Sequence, residues 1–65
     1  MTAAVEVPSL LEISQWAARE YPDTWHALST PEKAVVAIQI RRDGRGGGWH
    51  QIFVAAVGAA LGGAR

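Results

Sequence analysis

Four glycines within residues 44–48 (Gly44-Arg45-Gly46-Gly47-Gly48) divide the chain, and no single regular element can run through them. Glycine loses more backbone freedom on folding than any other residue, so a helix or strand interior this rich in it is heavily penalised. Residues 43–48 are therefore expected to form a glycine-rich loop. The apolar stretches on either side, Ala34–Ile40 and Trp49–Leu61, then have to be separate elements that pack back on one another.

The upstream sequence marks where the other elements begin. Pro8-Ser9 followed by Glu12 forms a capping box, in which the serine hydroxyl and the glutamate carboxylate each satisfy a backbone N–H at a helix start. A helix is expected from about Ser9 to Glu20. At 100° per residue Leu10, Ile13, Ser14, Ala17, Ala18 and Tyr21 share one arc with Leu11 at its edge, while Glu12, Gln15 and Arg19 lie opposite. Trp16 falls on the flank, able to cover the core edge or to face a partner. Pro22 ends this helix, because it lacks an N–H and disfavours helical geometry in the residue before it. Asp23–Leu28 is expected to be a connector, at most one helical turn capped by Asp23.

Ser29-Thr30-Pro31-Glu32 repeats the start signal, with a second capping box and a proline where the first turn tolerates one. The residues that follow point two ways. Val35, Val36, Ile38 and Ile40 surround a helical wheel, whereas Val36, Ile38 and Ile40 alternate with Ala37, Gln39 and Arg41 as a strand would. The expected fold is therefore an all-α bundle of about three helices, with an α+β fold carrying a hairpin at 34–54 as the alternative. In the helical case the all-round apolar second helix should be the central, most buried one. The last helix, from Trp49 to about Leu61, would present a bulky side of Trp49, Ile52, Phe53, Val57 and Leu61 to the core. Gln51, Ala55, Gly58 and Gly62 would form a small side, suited either to a tight internal contact or to close approach by an outside helix.

At 65 residues this is one domain, spanning 1–65, with 1–8 expected to be an extended arm. Folding buries about 60% of the unfolded surface of so short a chain, leaving stability marginal. There is no cysteine to staple it, which also excludes thiolate metal sites, cysteine nucleophiles and redox pairs. A cytoplasmic location is the expectation, since the N-terminal segment lacks a basic region and is interrupted by Glu6 and Pro8. Trp49–Ala64 carries no formal charge, but as a helix it would reach about 24 Å against a hydrocarbon core of about 30 Å. Membrane partners are thus not expected, although Arg41, Arg42 and Arg45 ahead of Trp49 imitate a positive-inside flank.

Chemistry finds few footholds. Asp23 and His26 stand at i, i+3, where a third ligand or an orienting group would have to come from elsewhere, such as Glu20 or His50. The glycine loop lacks the G-K-[ST] ending of a phosphate loop, and Trp49 occupies the third glycine position of G-x-G-x-x-G. No catalytic residue, metal or cofactor is assigned, and the chain is not expected to be an enzyme.

Net charge is zero but unevenly spread. Glu6, Glu12, Glu20, Asp23 and Glu32 against Arg19 give residues 1–32 a balance of −4, and Lys33, Arg41, Arg42, Arg45 and Arg65 against Asp43 give 33–65 a balance of +4. The arginine group is the feature through which a nucleic acid would be held, guanidinium groups neutralising phosphate. Thr30-Pro31-Glu32, the apolar run to Gly44, then Trp49-x-x-Ile52 and Gly58 faintly resembles the first two helices of the helix-turn-helix in the C-terminal DNA-binding region of sigma factors, with a longer turn. That resemblance implies DNA as a partner.

The sequence reading favours a small accessory or regulatory protein, of the size of many phage-type proteins, that works by helix packing, either as a homo-oligomer or docked on a larger protein. Trp16, Trp49, Phe53, Ala55, Gly58 and Gly62 are its candidate partner-binding residues. The alternative is a nucleic-acid-binding module of helix-turn-helix type using Arg41, Arg42 and Arg45.

Overall fold

The computed structural model describes residues 8–62, which form four helices, α1 (Leu10–Glu20), α2 (Pro22–Ala27), α3 (Thr30–Asp43) and α4 (Trp49–Gly62). The fold is all-α. The expected N-terminal arm lies, apart from Pro8, outside the described residues.

Both capping boxes are formed. Ser9 N–H donates to Glu12 Oε1 at 2.9 Å, and Glu12 N–H donates to the Ser9 hydroxyl at 3.1 Å. At the start of α3 the same pair of bonds joins Ser29 and Glu32, at 2.7 and 3.3 Å. The hairpin alternative at 34–54 is overturned, because this span is α3, a loop and α4. The physical reason is that the alternating positions do not act together. Val36 and Ile40, four residues apart, are buried on one stripe with Ala37, and Ile38 is turned out to solvent.

Four helices replace the expected three because Pro22 has two roles. It stops α1, whose last carbonyls are met by the Tyr21 N–H bonding to Ala17 O at 2.8 Å, and it opens α2 at the first-turn position where its missing N–H costs nothing. Asp23 is not the cap; Tyr21 occupies that position without a side-chain bond, and Asp23 lies in the first turn. Although short, α2 delivers Trp25 to the core, with Leu28 following it. The Lys33 ammonium sits 5.6 Å from the Trp25 ring centroid, where the ring face attracts a cation.

The loop begins one residue later than expected, since Asp43 closes α3 and Gly44 caps it, donating its N–H to Ile40 O at 2.7 Å. Gly47 and Gly48 adopt φ of +104° and +76°, conformations that side-chain-bearing residues rarely take. Through that turn α4 folds back onto α3, which packs against both α1 and α4. The core joins Ile13 and Ala17 of α1, Trp25, Leu28, Val36, Ala37 and Ile40, and Phe53 and Ala56 of α4. Central placement of α3 is observed, but not all-round burial: Val35 and Ile38 are 51% and 52% exposed.

Candidate interaction face

The N-terminal half of α4 is braced by a group of aromatic rings. Phe53, fully buried, stacks on Tyr21 with centroids 4.3 Å apart and planes 13° from parallel. Trp16, half-buried, meets Trp49, His50 and Phe53 edge-to-face at 5.3, 5.1 and 5.8 Å. Such offset and edge contacts put the positive rim of one ring against the negative face of the next. Two hydrogen bonds fix the ends of this group. The Trp49 indole N–H donates to the Gly44 carbonyl at 2.8 Å, and the Tyr21 hydroxyl pairs with His50 Nδ1 at 2.8 Å.

With its inner side held this way, α4 turns a wide outer face to solvent. Relative to Gly58, Leu61 and Val54 fall about 60° and 40° to one side and Ala55 and Gly62 about 60° and 40° to the other, with Gln51 close to the centre. Val54 is 60% and Leu61 50% exposed, so this face carries two large apolar side chains, and no residue of α4 is charged. Tyr21, His50, Gln51, Val54 and Ala55 line a shallow open depression of about 430 Å³ beside it.

These positions distribute the sequence candidates. Trp16 and Trp49 are half-buried in the aromatic group, and Phe53 lies beneath the surface and acts on the face only by supporting it. Ala55, Gly58 and Gly62 are exposed together. A methyl group built on Gly58 or Gly62 meets nothing within 4 Å, so the tight internal contact weighed for these glycines is not made. Leu61, expected inside, is outside. It sits about 80° around the helix from Phe53, past the edge of the buried arc that Phe53 and Ala56 define. Val54, Tyr21 and His50 are not among the partner-binding candidates expected from the sequence, which places Tyr21 on the apolar arc of the first helix and weighs His50 only as a ligand. The absence of charge across α4 was the available signal for Val54, whereas the Tyr21–His50 pairing spans 29 residues and leaves no local pattern.

The arginines lie around the turn that joins α3 to α4. Arg41, Arg42 and Arg45 are exposed and, with Ile38, edge an open depression of about 330 Å³. Arg42 is engaged locally, its Nε 3.6 Å from Asp43 and its Nη2 donating to Gln39 at 3.1 Å, while Gln39 in turn donates to Asp43. Much of the uneven charge along the chain is accounted for by helix ends. Glu12, Asp23 and Glu32 stand in first turns, and Arg19, Arg41 and Arg42 in last turns, where each complements the helix dipole.

Asp23 and His26 are both exposed on α2, and among the described residues no three His, Asp or Glu side chains are gathered as a metal site would need. None of the described helices is long and apolar enough to cross a membrane. Compared with known proteins, the chain matches no family model, no curated protein and no solved structure.

Proposed function

We propose that this chain is a small non-enzymatic interaction protein, accessory or regulatory in role, that acts by helix packing through the outer face of α4, and that its first partner is a second copy of itself. The observation that carries this reading is the exposure of Val54 and Leu61 around Gly58 on a helix without a single charged residue. A surface helix of a monomer normally turns a charged face to water. Contiguous apolar surface left open on a small domain is the signature of a surface that is covered in use. The marginal burial available to 65 residues adds a motive, since association supplies contacts that the single chain lacks. A chain without cysteine is compatible with a cytoplasmic setting.

A second reading rests on the depression edged by Ile38, Arg41, Arg42 and Arg45, which offers guanidinium groups to a phosphate backbone. It is the weaker of the two, because Arg41 and Arg42 already complement the C-terminal end of α3 and Arg42 is bonded to its neighbours. The deciding experiment is the solution mass of the purified chain by light scattering at low and high salt, with and without DNA. A dimer or larger assembly indifferent to DNA and salt is the expected result. A monomer that gains mass only with DNA at low salt would refute the packing reading and move the function to the arginines.

A further inference from the structure

Resting on the self-association reading, we infer that two copies pair through antiparallel α4 helices about a twofold axis at Gly58, with Leu61 of each copy seated over Val54 at the wall of the Tyr21–His50 depression of the other. The register follows from helix geometry. Leu61 lies three residues beyond Gly58, about 4.5 Å along the axis, and Val54 lies four residues before it, about 6 Å the other way. A twofold axis crossing the helix at Gly58 reverses the axial direction and keeps the lateral side. It therefore brings Leu61 of one copy level with Val54 of the other, and both fall on the same flank of the face. On that flank His50 and Tyr21 complete the depression that Val54 borders. One surface thus holds both the projection and the hollow, which an isologous contact requires.

Gly58 occupies the crossing point, and the open space over it lets the second backbone approach without displacing a side chain. Electrostatics favour the antiparallel sense. No acidic residue stands in the first turn of α4 and no basic residue in its last, so its dipole ends are uncompensated by side chains. In this register the negative end of each helix lies about 7.5 Å along the axis from the positive end of the other, whereas parallel pairing would set like ends side by side. A dimer contact of ordinary size takes about 800 Å² from each partner. Against the chain's surface of 4422 Å² that is about a fifth, so the contact has to extend from the uncharged outer side of α4 onto the neighbouring Tyr21–His50 depression.

Two variants of the full chain test this pairing alongside the mass of the native protein. Leu61→Lys keeps α4 intact, because a cation in the last turn suits the dipole, yet it places a charge in the proposed contact. It is expected to remain helical by circular dichroism and to weaken the dimer about 100-fold or more. Since the chain has no cysteine, Gly58→Cys introduces a single thiol that sits next to its own copy at the axis, and mild oxidation should link the two chains efficiently. Arg19→Cys, exposed on α1, serves as the control and should remain mostly unlinked. A native dimer that survives Leu61→Lys and links no better through position 58 than through position 19 would overturn this pairing while leaving self-association standing. A native chain that stays monomeric at high micromolar concentration would overturn the second copy as occupant altogether, whether another protein then covers the face or none does.

Discussion

Replacing Gly44 by alanine tests whether the α3–α4 hairpin is held by a close approach at its turn. The backbone at Gly44, with φ −93° and ψ 17°, is one that alanine adopts, so no torsional strain is involved. The obstacle is space. A methyl group there would stand 2.6 Å from the Ile40 carbonyl oxygen and 2.8 Å from both Cδ1 and Nε1 of the Trp49 indole. Real side-chain carbons do not come that close, and the carbonyl belongs to the last turn of α3 and is itself bonded to the Gly44 N–H. Relief requires the indole to swing away. That would break its 2.8 Å bond to the Gly44 carbonyl and disturb its edge contact with Trp16.

Overpacking of this kind costs about 1–3 kcal/mol and the lost hydrogen bond about 0.5–1.5 kcal/mol, so Gly44→Ala should destabilise by about 2–4 kcal/mol. The whole domain, at about 0.05–0.15 kcal/mol per residue, has only about 3–10 kcal/mol to lose. At about 4–8 °C per kcal/mol for a domain of this size, the loss should lower Tm by about 10 °C or more. Urea unfolding at fixed protein concentration, read by tryptophan fluorescence, gives the free energy, and Gly46→Ala is the internal control. Nothing lies within 4 Å of a methyl group at Gly46, so that substitution should be neutral or stabilise by up to about 1 kcal/mol by restricting the unfolded chain. If the two variants unfold within about 0.5 kcal/mol of one another, the close approach does not hold the hairpin and the reasoning fails.

Removing the α3 cap with Ser29→Ala should cost about 1 kcal/mol, measured by the same urea titration, because it leaves the Glu32 N–H without its partner. Phe53→Ala, which empties the centre of the core, should cost about 3–5 kcal/mol and leave a chain whose circular dichroism melt is broad or absent at 25 °C. At Gly48, whose φ is +76°, Asn should be tolerated better than Val, by about 1 kcal/mol in thermal melts, because Asn enters the left-handed region more readily than a β-branched side chain.

Where the fold could be read ahead of the structure, local chemistry was specific. Ser9 with Glu12, Ser29 with Glu32, Pro22 and the glycines each act on their own few residues, so helix starts and stops were visible in the chain. Two features escaped because they depend on distant partners. Trp25 and Leu28 become core only because α2 packs against α1 and Phe53 of α4 lies beside the Trp25 ring, and nothing within residues 23–28 announces that burial. Leu61 reads as bulky and therefore internal, yet the helices packed inside α4 reach only as far around it as the arc of Phe53, Ala56 and their half-buried neighbours. Of the six partner-binding candidates, Ala55, Gly58 and Gly62 share the exposed face, whereas Trp16, Trp49 and Phe53 belong to the scaffold beneath it.

The opposed charges of the two halves, prominent in the sequence, lose force as a partner signal once each is placed on its helix. Six of the charged residues sit in the helix turn whose dipole they complement. They stabilise this chain whether or not a partner is present, each by about 0.3–1 kcal/mol. Among the described helices α1 and α3 also expose large apolar side chains, but only α4 ends both turns without a compensating charge while turning Val54 and Leu61 outward. A helix so exposed is poorly stabilised by itself, since most helical stability in proteins comes from packing an apolar face. α4 packs its inner face on α3 and the aromatic group, and its outer face has the composition of a second packing surface. The element least adapted to water is thus the one through which contact with another chain adds most to the fold.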